Sequence, residues 1–273
     1  MKILVTVKRI PDPDENLKFA GSAIDTSSVK WVPNAFDEYA VETALRLAEN
    51  TGNKKERLAE VIVLSVCPKD KRQHVTQFLA MGADRGVIVD ADDTAMDSGS
   101  IAKLIAEVFK REQCDLLIVG KLSQDTESNE VAQRVAGLLD LPQGSFAATM
   151  SWDRDGKALT VGREVDDGVE TKQVPLPSVV SVDLRIVLPT SVHNGVTPDD
   201  HKYQDGARLA SLRGITMAKR KKVAIHTPGD LGVEPTAALT YSEVVAPAAR
   251  QAGQLVESPQ ALIEKLSTEA KVL

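Results

Sequence analysis

Cysteine is almost missing from this 273-residue sequence, which has only Cys67 and Cys114. Each lies beside a short apolar run and reads as a small buried hydrophobe, so a disulfide scaffold or thiolate metal centre is disfavoured and a reducing compartment fits. Long apolar runs are missing too. None approaches the roughly 18 residues that span a bilayer, and Met1 to Val5 leads into a strand instead of a signal peptide's apolar region. The expectation is a soluble, unprocessed, cytoplasmic protein, with import into a mitochondrial matrix left open. A basic excess is also lacking: the formal charge of -6 argues against nucleic-acid binding, which needs clustered cations.

The common catalytic and phosphate motifs are lacking as well. There is no G-x-x-x-x-G-K-[ST], and no G-x-G-x-x-G follows the first apolar run, which continues as KRIPDPDENLKF. That disfavours a P-loop nucleotidase or a Rossmann dinucleotide site. No G-x-S-x-G elbow occurs, and His74, His193, His201 and His226 show no ligand-like i,i+4 pairing, so no metal site is expected. His74 reads as helical, His193 and His201 as loop residues, and His226 as part of a late strand.

What is present is an alternation of short buried strands with amphipathic helices. Ile3–Val7, Glu60–Ser65, Gly86–Val89 and Asp115–Val119 are apolar and too short for helices, as parallel strands covered on both faces should be. Between them, Ala40, Val41, Ala44, Leu45 and Ala48 share one helical face, as do Ile101, Leu104, Ile105 and Val108. Right-handed crossovers then give an α/β fold with a doubly wound parallel sheet. Ligands bind such sheets at the carboxyl ends of the strands, which directs attention to Thr6–Lys8, Asn34–Asp37, Val66–Pro68 and Gly120–Asn129. Asp125, Thr126 and Ser128 are expected either to face a phosphate at the start of a helix near Thr126, or simply to cap that helix.

After Pro142 the texture changes to hairpin strands. Leu159, Val161, Arg163 and Val165 alternate with their neighbours, the Asp167-Gly168 pair suits a tight turn, and Val169–Val174 forms a second extended run. This stretch reads V-x-R-x-x-D-D-G-x-E-T, followed by P-x-V-V-S at Pro177–Ser181, and it resembles the signature of electron transfer flavoprotein beta subunits. Lys172 departs from the aliphatic residue usual there. Six further fragments fall in that family's order: KILVTVK from Lys2, NAFDE from Asn34, LAMGADR from Leu79, Gly120-Lys121, LPQG from Leu141 and PGDLGV from Pro228.

The resemblance implies an adenine-nucleotide alpha-hydrolase-like fold with an added β-hairpin and a long C-terminal extension. It divides the chain into an α/β nucleotide-binding domain over 1–184, a partner-recognition loop with an insertion and return strand over 185–227, and an arm over 228–273 that packs on an alpha subunit. It also implies a non-catalytic electron carrier whose FAD is held mostly by the alpha subunit. Electrons would come from flavin dehydrogenases of the acyl-CoA dehydrogenase type and pass to a quinone oxidoreductase or another acceptor. An AMP site would be lined by Thr6, Asn34, Ala35, Phe36, Asp37, Val66, Gly120, Lys121, Asp125, Ser128, Asn129 and Val131, with Phe36 either contacting flavin or packing in the core. Glu127, Glu130 and Leu122-Ser123-Gln124 depart from the family's loop, and Val131 stands where a threonine would offer a hydroxyl to the phosphate. AMP, a second FAD as in electron-bifurcating relatives, and an empty site therefore remain as alternatives.

Between Arg185 and Leu212 the stretch PTSVHNGVTPDDHKYQDGA departs from the family, and its Pro, Gly, Asp and Asn content indicates a surface loop, ordered or mobile. The resemblance places partner recognition just beyond it, with Leu212 as apolar anchor and Arg208 and Arg213 on the rim. Lys219-Arg220-Lys221-Lys222 reads either as a patch steering an acidic partner or as a solvated run. Ser258-Pro259 with Leu262, Ile263 and Leu266 reads as a capped amphipathic helix. Two other classes explain less. A stand-alone nucleotide-hydrolysing enzyme accounts for the sheet alone. A universal-stress-type sensor should carry a glycine-rich phosphate loop, whereas Gly120 is the only glycine from Arg111 to Val135.

Overall fold

In the computed structural model, residues 1–21, 23–53, 55–198, 200–249 and 252–273 are described. Contacts within the chain divide it into two units, one of residues 1–17 and 26–241, the other of residues 18–25 and 242–273.

The first unit begins with β1 (Lys2–Thr6) and β2 (Arg9–Pro11). After β3 (Phe19–Ala20) and β4 (Ala23–Ile24), which belong to the second unit, it resumes with β5 (Trp31–Pro33) and α1 (Ala35–Ala48). It continues with β6 (Glu60–Val66), α2 (Gln73–Met81), β7 (Arg85–Val89), α3 (Ser98–Glu112), β8 (Leu116–Gly120) and α4 (Val131–Leu139). Next come β9 (Gln143–Asp153), β10 (Ala158–Val165), β11 (Gly168–Pro175), β12 (Ser178–Val182), β13 (Val192–His193), α5 (Leu212–Ala218) and β14 (Val223–His226). The main sheet runs β11-β10-β9-β12-β8-β1-β6-β7-β14, with β13 paired to β9. It is parallel from β9 through β14, while β9, β10 and β11 form an antiparallel meander.

Strand alternation builds two cores. Ile3, Val5, Val61, Val63, Leu116 and Ile118 point to the face covered by α1 and α2. Their neighbours Leu4, Ile62, Leu64, Leu117 and Val119 point to the face covered by α3 and α4. Helices thus cover both faces, as the doubly wound reading requires. From β1 the chain works outward through β6 and β7, then returns to place β8 on the other side of β1. The strand order reverses between β1 and β8, and reversal points of this kind open a crevice at the carboxyl ends.

Several expectations need adjustment. The hairpin turn consists of Asp166 and Asp167, since Val165 pairs with Gly168, so the turn lies one residue earlier than expected and Gly168 (φ 144°) already belongs to β11. α4 starts at Val131 instead of near Thr126, because Glu127 (φ 51°) and Asn129 (φ 48°) take left-handed conformations that a right-handed helix cannot hold. His193 is a strand residue, not a loop residue.

The stretch expected as a surface loop also contributes to the interior: Ser191, Val192, Asn194 and Thr197 are buried. Asp199 lies outside the described residues. β13 continues the edge of β9 where β12 ends, and the Gly206 amide donates to the Val187 carbonyl (3.2 Å), so the excursion returns to its starting point. Arg46 of α1, fully buried, clamps both ends of it, donating to the carbonyls of Val187, Leu188, Gln204 and Gly206. The Asn194 amide donates to the carbonyls of Arg46 and Glu49.

The second unit holds the β3–β4 hairpin and α6 (Pro259–Thr268). Ser258 caps α6 by accepting from the Ala261 amide, with Pro259 in the first turn, as expected. Leu262 and Ile263 on α6 are exposed, and no residue of this helix is buried.

Candidate functional site

The crevice between β1 and β8 opens into a cavity of about 170 Å3. Strand ends supply Thr6, Val66 and Gly120, the start of α1 supplies Asn34 and Asp37, the loop before α4 supplies Ser128 and Asn129, and α4 itself begins with the lining residue Val131. Leu64, Met96, Ile101, Ile105 and Val119 give it an apolar floor.

Close packing at Gly120 joins these elements. A Cβ built there would lie 2.6 Å from Asp37 Oδ1, 2.7 Å from Phe36 Cβ and 2.8 Å from the Phe36 carbonyl carbon, so only glycine lets β8 approach the first turn of α1 so closely. Asp37 completes the joint by accepting the Lys8 amide at 2.7 Å. Burial pushes its carboxyl up to about 7, against the opposing pull of hydrogen bonds from the Lys8 amide, the Asn34 side chain and the Gly120 amide. Asn34 does not cap α1. Its amide nitrogen donates to the Leu122 carbonyl (2.9 Å) and its oxygen accepts the Gln124 amide (3.2 Å), which holds the loop after β8 against the helix.

The polar wall of the cavity suits an anion. The α4 N-terminus receives no side-chain cap, and its first residues, Val131 and Ala132, are among those lining the cavity, so a helix start with its intrinsically unpaired amides lies at this wall. Ser98 and Ser128 meet hydroxyl to hydroxyl at 3.3 Å beside them. The carboxylates that line the cavity, and Asp125 beside it, are already engaged. Glu130 pairs with Arg134 (2.6 Å), Asp125 with Lys8 (2.7 Å) and Asp93 with Arg9 (2.6 Å), while Asp97 accepts amides from Ser100, Ala238 and Leu239. Those amides, the Ser100 amide foremost, hold the Asp97 carboxyl down to about 2. The charge added by Glu130, just ahead of α4, is thus offset by Arg134 on that helix.

Of the residues expected at this site, Thr6, Asn34, Asp37, Val66, Gly120, Lys121, Ser128, Asn129 and Val131 line the cavity, while Ala35, Phe36 and Asp125 do not. The Ala35 amide donates to Gln124, and Asp125 is taken up by Lys8. Phe36 is half-buried, with the Lys121 ammonium 5.2 Å from its ring centre while that ammonium also bonds Asp183 (2.6 Å). Sequence reasoning missed the loop after β7, where Asp93, Met96, Asp97 and Ser98 enter the lining. The signal was the cap pattern D-S-G-S at Asp97–Ser100 ahead of an amphipathic run.

A family model described as the electron transfer flavoprotein domain matches residues 22–228. The chain belongs to that family. Electron transfer flavoprotein subunit beta from Bradyrhizobium diazoefficiens is 38% identical over 275 residues, covering 100% of each chain. The human protein of the same name is 35% identical over 277 residues, covering 100% of this chain and 99% of its own. A relative from Arabidopsis thaliana, named electron transfer flavoprotein subunit beta, mitochondrial, is 36% identical over 275 residues, with full coverage of both. With such matches along its full length, this chain is an electron transfer flavoprotein beta subunit.

A second feature of this beta subunit is an apolar tip on the edge of the fold. Leu209 and Leu212 are 88% and 85% exposed, and Arg213 is exposed beside them. Arg208 is turned inward, its guanidinium committed to Glu42 and Glu49. In the basic run, Lys219, Arg220 and Lys222 are exposed, whereas the Lys221 ammonium donates to the Leu79 and Ala83 carbonyls at the end of α2. Among the described residues, no group of acidic, His or Cys side chains is arranged to hold a metal ion, and no helix is long and apolar enough to cross a membrane.

Proposed function

We propose that this chain is the non-catalytic beta subunit of a heterodimeric electron transfer flavoprotein, and that its cavity holds AMP. FAD, when bound with the alpha subunit, supplies the redox chemistry, and this chain supplies binding and orientation. The observation that supports the AMP reading is that one cavity is lined both by an apolar floor and by the start of α4, which has no side-chain cap, together with the Ser98–Ser128 hydroxyl pair. This matches a ligand with a single flat ring and a single phosphate. Lys8 and Arg134 neutralise the carboxylates at the mouth, which favours the anion further.

The exposed Leu212, with Arg213 beside it, supports a docking role toward flavin dehydrogenases of the acyl-CoA dehydrogenase type, with a quinone oxidoreductase as acceptor. Phe36, which lies outside the cavity lining, is the side chain assigned to the flavin. The compartment is read as cytoplasmic, which subcellular fractionation would distinguish from a mitochondrial matrix.

The deciding experiment is mass spectrometry of the nucleotides released by acid from the natively purified complex, counted per polypeptide. One FAD and one AMP per heterodimer is the expected result. Two FAD and no AMP would reassign the cavity to a second flavin, and an ATP-hydrolysing monomer would overturn the carrier reading.

A further inference from the structure

We propose that Arg208 is a positioning residue for the docking tip, acting with Arg46, Glu42 and Glu49, and not a partner contact. This rests on the reading of Leu212 as the docking residue. Arg46 Nε donates to Glu42 Oε1 (2.8 Å), and its other nitrogens hold both ends of the 187–206 excursion. The other oxygen of Glu42 accepts Arg208 Nε (2.6 Å) and the Arg208 backbone amide (3.2 Å). Arg208 Nη1 and Nη2 reach Glu49, and Nη2 also reaches Glu42 Oε1 (3.0 Å). Every guanidinium nitrogen of Arg208 therefore has a carboxylate partner on or just beyond α1. Two arginines balance two glutamates, so the cluster leaves no net charge to attract a partner.

The tip is strung between this anchor and a second one. Ser211 caps α5 by accepting the Gly214 amide (3.0 Å), and a Cβ on Gly214 would sit 2.3 Å from the Ala80 carbonyl oxygen, which shows how closely α5 rests on α2. Lys221 fastens the far end of α5 to the α2 carbonyls. Only Leu209, Ala210 and Ser211 lie between the clamp on α1 and the start of α5, and the exposed Leu209 and Leu212 belong to that short span and to the first position of α5. A bidentate arginine is directional, so the clamp fixes where the span begins and preorganises the tip.

The test uses the purified heterodimer and a substrate-reduced acyl-CoA dehydrogenase as donor, with dithionite as a donor that needs no docking. Arg208→Met is expected to lower kcat/KM with the protein donor by about tenfold, through KM, while FAD content and the dithionite rate stay unchanged. Arg208→Lys should recover part of the loss. Combined with Leu212→Ala, Arg208→Met should add almost nothing, because both act through one docking event; multiplicative losses would mean a direct partner contact and overturn the proposal. Full activity of Arg208→Met while Leu212→Ala is slow would overturn it equally. An unchanged Leu212→Ala would sink the docking reading itself. Should Arg208→Met fail to assemble, Glu49→Gln carries the same comparison, with about a threefold loss expected and none overturning the proposal.

Discussion

Gly120→Ala is expected to destabilise the protein through one contact. The added methyl would lie 2.7 Å from Phe36 Cβ and 2.8 Å from the Phe36 carbonyl carbon, and the latter, being backbone, has no rotamer to move. Relief requires the start of α1 to move away from β8, which also lengthens the bonds that Asp37 accepts there. Overpacking of this kind costs about 1–3 kcal/mol. At roughly 2–4 °C per kcal/mol for a chain of this size, the melting temperature should fall by about 2–12 °C. Gly137→Ala provides the control. Gly137 lies in α4 with open space around its added methyl, so the same change should stabilise by about 0.5–1 kcal/mol. Thermal unfolding of the two variants beside the parent complex reads the contrast. Equal shifts, or a Gly120→Ala complex that melts with the parent, would refute the claim that the β8–α1 approach is a close-packed joint. AMP retention measured on the same samples should fall for Gly120→Ala alone.

Asp37 makes stability depend on pH. Its folded value of about 7 lies above the ordinary 3.8, so the stability it contributes is complete below about pH 3.8 and is lost as pH rises to about 7. The difference of about 3 units sets a ceiling of about 4 kcal/mol. Asp37→Asn should therefore gain on the parent steadily between pH 4 and 7 in denaturant titrations, and a pH-independent difference would count against the buried carboxyl. For Lys221→Met, the carbonyls at the end of α2 lose their donor, with an expected cost of about 1–2 kcal/mol and no change in the salt dependence of reduction by the protein donor. Replacing Lys219, Arg220 and Lys222 by Gln should flatten that salt dependence instead, as stopped-flow measurements across ionic strength would show.

The strands of the sheet were legible because burial on both faces leaves an unbroken run of Val, Ile and Leu, and the helices because their apolar faces repeat. Most of the cavity was legible too, since the carboxyl ends of parallel strands fix where a crevice opens. The start of α4 was misplaced because nothing in the side chains of Glu127 and Asn129 announces a left-handed backbone, whereas the capping types around them suggest an earlier helix. The inward turn of Arg208, expected on the rim beside Leu212, was hidden for a related reason. An arginine in a polar loop reads as facing solvent or a partner, and its inward turn depends on carboxylates supplied by residues more than a hundred positions away. The packing of Ser191, Val192, Asn194 and Thr197 was hidden as well, because Pro, Gly and Asp describe turns without saying what the turns rest against.

The closure of that excursion has an evolutionary corollary. Because the Gly206 amide bonds back to the Val187 carbonyl, the chain re-enters the fold where it left, and the part of the path that does not carry the buried Ser191, Val192, Asn194 and Thr197 can change in length without relocating α5 and β14. Sequence drift in the exposed turns of that path can therefore reshape the surface beside Leu209 and Leu212, while the exit at Val187 and the re-entry at Gly206 stay together.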